Sequence, residues 1–262
     1  MSFPVNIHGT PPALSTQIKV GGATWHVPEE IPIAFVYNRR NYAVMMGTPD
    51  NVADFALGFS LTEGVVKDLS EVKSLDVKFS NKGVDLRFKI ATQAIERLDV
   101  TLRRRNMIGS ASCGLCGLEN ADVLFKELPP VAQAPIALNR SAVEMSFEAL
   151  WEHQPLNKAT RSVHAAAWVL HDGTIKLVRE DVGRHNALDK LLGAMASNKT
   201  DVKHGFVLMS SRCSYEIVEK AAQRGVQAIV SISGPTSFAL RKAHEANMAI
   251  YSRAGKEAVR VL

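Results

Sequence analysis

Aromatic residues, cysteines and long apolar runs are all scarce in this chain. Phe, Trp and Tyr make up 6% of it, too few for a surface that stacks nucleic-acid bases between basic side chains. Three cysteines are an odd number and cannot build a disulfide framework, which fits a reducing compartment. No apolar run approaches the roughly 18 residues that a membrane span requires. Met1–Thr10 shows no basic stretch followed by an apolar one, so no secretory signal is visible. Together these absences predict a cytoplasmic protein without a membrane or nucleic-acid partner. Seventeen glycines and eleven prolines in 262 residues exclude a collagen-like repeat. A hydrophobic share of 46% against 22% charged excludes a disordered chain and a coiled coil. The net charge of +5 and pI of 9.1 are a mild basic excess, which favours small anionic ligands or acidic partners.

What is present divides into three parts. Residues 1–20 are rich in Pro, Thr and Ser without a hydrophobic period and predict a mobile lead-in. Residues 21–135 predict a smaller α+β domain. In it Ile33–Tyr37 and Tyr42–Met46 read as strands about a turn at Asn38–Asn41. Thr48-Pro49-Asp50 predicts a helix start with Thr48 as the N-cap. Val52, Phe55, Ala56 and Phe59 form its apolar face, and Glu63-Gly64 its end. Val72–Phe79 and Val84–Ile90 predict a second hairpin, and Ile95–Arg104 a helix. The small residues and glycines of Ile108–Gly117 predict a mobile loop. Leu128–Pro135 reads as a linker and sets the boundary.

Residues 136–262 predict an α/β domain. Val163–Leu170 and Thr174–Arg179 are strands around His171-Asp172-Gly173. Strand, polar loop and helix then follow in repetition, with Asp181–Asn186, Ser210–Ser214 and Ser233–Thr236 as the loops. Such a repeat predicts a mixed or largely parallel core sheet with ligands beyond the carboxyl ends of its strands. Helix starts there offer free N–H groups to anions.

Two constellations carry chemistry. Cys113-Gly114-Leu115-Cys116 admits four explanations: idle surface thiols, half of a zinc site, a thioredoxin-like redox pair, or nucleophilic sulfur. Zinc needs four ligands, and only Cys213 and a histidine stand ready to complete the set. A redox pair expects the motif between a strand and a helix. A thiolate on a swinging loop is suited to passing on a sulfur atom, and Arg103–Arg105 upstream would lower its pKa if the loop folds back onto them. The second constellation is Asp181, Gly183, Arg184, His185 and Asn186 at a helix start. Arg184 offers bidentate contacts to phosphate, and a histidine such as His185 is the side-chain type suited to proton exchange; Arg212 in the next loop has the same potential for phosphate. Lys190 reads as part of a solvated first turn, and His164 as a half-buried strand residue.

These residues also resemble a known family, the formate dehydrogenase accessory sulfurtransferases (FdhD). The likeness runs from about Glu29 to the C-terminus. It is carried by Thr48-Pro49, Leu57-Gly58-Phe59, Thr62-Glu63-Gly64, Ser112–Gly117, His164-Ala165-Ala166, Glu180–Ala187, Asp189-Lys190, Arg212, Ser214, Glu216 and Pro235-Thr236. The resemblance implies a cytidine-deaminase-like α/β core and a homodimer. It implies a sulfur carrier that takes persulfide sulfur from a cysteine desulfurase. The sulfur then passes to the bis(molybdopterin guanine dinucleotide) molybdenum cofactor before formate dehydrogenase receives it. The persulfide falls on Cys113, with Cys116 beside it. Cofactor contacts fall on Tyr251, Ser252, Arg253, Ala254, Gly255 and Lys256, and the set Asp181, Gly183, Arg184, His185, Asn186 and Arg212, singled out above by its chemistry, would join them. Guanine nucleotides such as GDP would then bind as fragments of the cofactor, with no permanent metal. The chain departs from the family pattern at Arg161-Ser162, at Ser211–Ser214 and at Gly47.

Two rivals accompany this expectation. A zinc-dependent deaminase needs a Glu two residues beyond its histidine and a Pro before its Cys-x-x-Cys; His164-Ala165-Ala166 and Ser112 supply neither. A cofactor-binding chaperone would need no cysteine at all.

Overall fold

The computed structural model describes residues 3–98 and 127–262. Arg103–Arg105, Cys113, Cys116 and the expected loop Ile108–Gly117 lie outside the described residues. Two sheets organise the chain. The first has the order β1-β6-β7-β4-β5, from β1 (Val5–His8), β4 (Ile31–Tyr37), β5 (Arg40–Gly47), β6 (Val72–Ser80) and β7 (Gly83–Ile90). A separate hairpin pairs β2 (Ser15–Val20) with β3 (Ala23–Pro28). The lead-in therefore contains two strands where the sequence predicts none. β1 spans only four residues, adds parallel to β6, and is too short to show a period of its own.

The β4–β5 turn is tighter than the expected four residues. Asn38 and Arg39 both take positive φ, 48° and 69°, the two-residue geometry whose twist suits a hairpin, so β5 starts at Arg40. Helix α1 (Val52–Thr62) follows, and its first residue comes later than predicted. Asn51 occupies the N-cap in a left-handed conformation without a side-chain cap bond. Thr48 is buried instead and hydrogen-bonds across to the second lobe, so it is not the cap. Apolar side chains of α1, with Phe35, Leu75 and Leu86 from the sheet, make the first core. Residues 92–98 are helical.

The second sheet has the order β13-β12-β11-β10-β8-β9. Its strands are β8 (His164–Leu170), β9 (Ile175–Asp181), β10 (Gly205–Met209), β11 (Ala228–Ser231), β12 (Ala249–Ala254) and β13 (Glu257–Arg260). Only the pairings β10–β11 and β11–β12 are parallel. The hairpins β8–β9 and β12–β13 and the β8–β10 pairing are antiparallel. The sheet is thus mixed, within the mixed or parallel core expected from the repeat. Helices cover both faces. α2 (Arg140–Leu150) packs on one. The helices α4 (Arg184–Ser197), α5 (Tyr215–Gln223) and α6 (Ser237–Glu245) cover the other, while the short α3 (Pro155–Thr160) precedes β8. The predicted linker lies against this lobe: Val131 N donates to Ala246 O at 2.8 Å, and Asn247 Nδ2 donates to Ala132 O at 3.2 Å.

The lobes meet where α1 crosses α4. A Cβ on Gly58 would strike the Asp189 carbonyl, and one on Gly193 the Asp54 carbonyl. Only glycine lets the two backbones approach this closely. Among the described residues no helix is long and apolar enough to cross a membrane.

Candidate functional site

Strand direction decides which loops meet. β8 runs antiparallel to both β9 and β10, and β10, β11 and β12 run parallel. The carboxyl ends of β9, β10, β11 and β12 therefore share one edge of the sheet. His164 opens β8 opposite Asp181 at that edge, and the β12–β13 turn at Gly255 lies there too.

The loop after β9 is held from below. Asp181 has no accessible surface, and its two oxygens divide their work. Oδ1 accepts from Gly183 N at 2.8 Å and Asn186 Nδ2 at 2.9 Å. Oδ2 accepts from Thr48 N at 3.0 Å and Thr48 Oγ1 at 2.9 Å, and pairs with Lys190 Nζ at 2.7 Å. Asn186 also donates to Met46 O at 2.8 Å. Gly47 leaves this packing unstrained, since a Cβ there would lie 3.1 Å from both Asn186 Nδ2 and Asp181 Oδ2, tighter than ordinary contact. Asp181 and Asn186 thus set the position of Gly183 and hence the start of α4. Lys190 is fully buried, which corrects the expectation of a solvated turn: it stands three residues after Ala187, on the buried side of α4.

Above this base the edge is rich in cations. Gly183 is the N-cap of α4 and brings no side-chain cap. Ser214, the N-cap of α5, makes no cap bond either, its hydroxyl donating to Glu216 Oε2 at 3.3 Å. Only α6 is capped by a side chain at this edge, Thr236 Oγ1 accepting from Ala239 N at 3.2 Å. His185 Nε2 lies 3.0 Å from Glu216 Oε2 and 3.4 Å from Ser214 Oγ, joining the first two loops. The hydrogen bond from His185 holds the Glu216 carboxyl below its ordinary pKa. Burial pushes the His164 pKa down, and the charges of Arg184 and His185 push it the same way. Arg184 Nε is buried with no hydrogen-bond partner. An unpartnered guanidinium N–H, two helix starts without side-chain caps and two histidines are donors of the kind suited to an anion.

The other expected contacts divide. Arg212 is exposed at the same edge. Cys213, beside it, is fully buried, its carbonyl accepting from Thr236 N at 3.0 Å; burial pushes its thiol up to about 12. Arg253, Ala254, Gly255 and Lys256 are exposed at the turn. Arg253 Nε donates to Gly255 O at 2.8 Å, and its guanidinium lies 5.7 Å from the Phe147 ring centroid. Ser252 is buried in β12. Tyr251 turns to the α2 face, its hydroxyl accepting from Leu138 N at 2.9 Å. Thr48 and Glu216 are parts of this site that the sequence does not assign. Glu216 carries a local signal, two residues after an N-cap serine, whereas the partner of Thr48 is 133 residues away.

The model of the FdhD/NarQ family matches residues 28–262. A protein of Xanthomonas euvesicatoria named sulfur carrier protein FdhD is 42% identical over 224 residues, 86% of this chain and 79% of that one. One of the same name from Cupriavidus necator is 42% identical over 235 residues, 89% and 81% of the two chains. In fold the chain is similar to a crystal structure from Desulfotalea psychrophila, provisionally assigned as a formate dehydrogenase accessory protein. The TM-score is 0.68 at 20% identity, covering 94% of each chain. By the span of the family match and by these relatives, the chain belongs to the FdhD/NarQ family.

Proposed function

We propose that this protein is a sulfur carrier for the maturation of formate dehydrogenase. It takes sulfur from a cysteine desulfurase and passes it to the bis(molybdopterin guanine dinucleotide) molybdenum cofactor, its substrate here. The names of the curated relatives support the carrier role. The cofactor assignment is carried by one observation: Arg184 Nε, buried and unpartnered, beside the uncapped start of α4. The diphosphate of a guanine nucleotide supplies the missing acceptors, with Arg184 and the first N–H groups of α4 holding its oxygens. Arg212 and the turn Arg253–Lys256 reach the same edge from neighbouring loops, and Glu216 orients His185. The protein works in the cytoplasm as a homodimer.

Sulfur enters at Cys113. Its thiolate attacks the terminal sulfur of the donor persulfide; a new S–S bond forms at Cys113 as the donor bond breaks, and the donor cysteine leaves as a thiolate. Cys116, three residues on, assists the onward transfer. Arg184→Ala removes a charge-assisted contact and is expected to weaken GDP binding by about 1.5–3 kcal/mol. Titration calorimetry reads this directly, and unchanged affinity would remove the nucleotide from this edge.

A further inference from the structure

The face of the first sheet that turns away from α1 has no described element on it. Along β4, Ile33, Phe35 and Tyr37 point into the core, while Ala34 and Val36 point outward and stay half-buried. These two floor a groove of about 750 Å³. Sheet register extends the floor sideways: Ala34 faces Asp85, which faces Lys78, and Val36 faces Arg87, which faces Asp76. Lys73, Lys89 and Arg39 complete a rim of five cations around two carboxylates.

The charges in this groove are not balanced from within. Arg87 is held by Asp85, Nη2 to Oδ2 at 2.6 Å. Asp76 accepts from Asn6 Nδ2 at 2.9 Å. Among the described residues, Arg39, Lys73, Lys78 and Lys89 have no carboxylate within ion-pair distance. Cations gathered in one concavity repel one another, and an incoming set of negative charges relieves that repulsion. We infer that this groove is a docking surface for an acidic polypeptide segment of a partner protein.

Polypeptide fits better than nucleic acid for two reasons. Asp76 and Asp85 sit on the floor as acceptors for backbone N–H groups, which a peptide supplies and a phosphodiester backbone lacks. Among the described residues no exposed aromatic lines the groove to stack a base, since Phe88 is only 2% accessible and packs in the core.

The test is fluorescence anisotropy of a labelled octaglutamate peptide with the full-length protein at low ionic strength. The groove variant is Lys73→Glu/Lys89→Glu, and the control is Lys19→Glu/Lys176→Glu; all four lysines are exposed. Lys73→Gln/Lys89→Gln serves as a second groove variant without added negative charge, and thermal melts confirm that each folds. We expect the groove reversal to weaken binding at least tenfold and the neutral pair less. The control should leave it within twofold, and added salt should weaken it throughout. Absence of peptide binding to the wild type, or equal losses in groove and control variants, would overturn the inference. So would a single-stranded oligonucleotide of equal charge that binds as tightly and is lost with the same groove residues.

Discussion

Lys190 Nζ lies 2.7 Å from Asp181 Oδ2, and neither side chain has any surface open to solvent. The pair sits at the junction of the lobes. Lys190 also donates to Thr48 Oγ1 at 2.8 Å and to Thr48 O at 3.1 Å, and Asp181 holds Gly183 N on its other oxygen. One buried contact therefore fastens the first lobe to the second and fixes where α4 begins. Removing one member strands the other charge in a dry interior. Lys190→Met is expected to destabilise the fold by about 3–5 kcal/mol, read from urea unfolding followed by circular dichroism. A loss below about 1 kcal/mol would mean that water reaches Asp181 readily.

Glu216 gives the site a pH dependence of known sign. The hydrogen bond from His185 holds its carboxyl pKa below the ordinary value, so the folded state releases this proton more readily than the unfolded chain. Its contribution to stability is complete above the unfolded carboxyl value of about 4.3 and is lost as pH falls through the lower folded value. Glu216→Gln should flatten the acid limb of a stability profile measured between roughly pH 6 and pH 3. An unchanged limb would mean that the His185–Glu216 contact has no energetic weight.

Cys213 should be chemically silent. It is fully buried, and its thiol is pushed up to about 12, so almost no thiolate exists at neutral pH. Iodoacetamide applied to the native protein should spare it and label it only after unfolding, as peptide mass spectrometry can show. Cys213→Ser should leave sulfur acceptance intact; lost acceptance in a folded variant would move the chemistry to this residue.

The elements that could be read from the sequence are those whose signals are local. The inward stripe Ala187, Leu188, Leu191, Leu192 and Met195 is buried along α4 as its spacing requires. The hairpins of β4–β5 and β6–β7 follow their alternation. What escaped depends on distant partners. Thr48-Pro49-Asp50 has the local form of a helix start, but the bond that decides the conformation of Thr48 comes from Asp181. Lys190 reads as solvated because a lysine is rarely buried unless paired, and its partner lies on β9. The strand order of the second sheet also arises from non-local pairing, since β8 separates β9 from β10. In the site, the Asp181–Asn186 loop announces itself by composition, whereas the missing acceptor at Arg184 Nε is visible only once the side chains around it are placed.

Whether sulfur rides on Cys113 is read by intact-protein and peptide mass spectrometry after incubation with a cysteine desulfurase and cysteine. One added sulfur atom is expected on the Cys113 peptide, absent in Cys113→Ala and retained in Cys116→Ala. Added sulfur that persists in Cys113→Ala and disappears in Cys116→Ala would contradict it, as would sulfur lost only in Cys213→Ser.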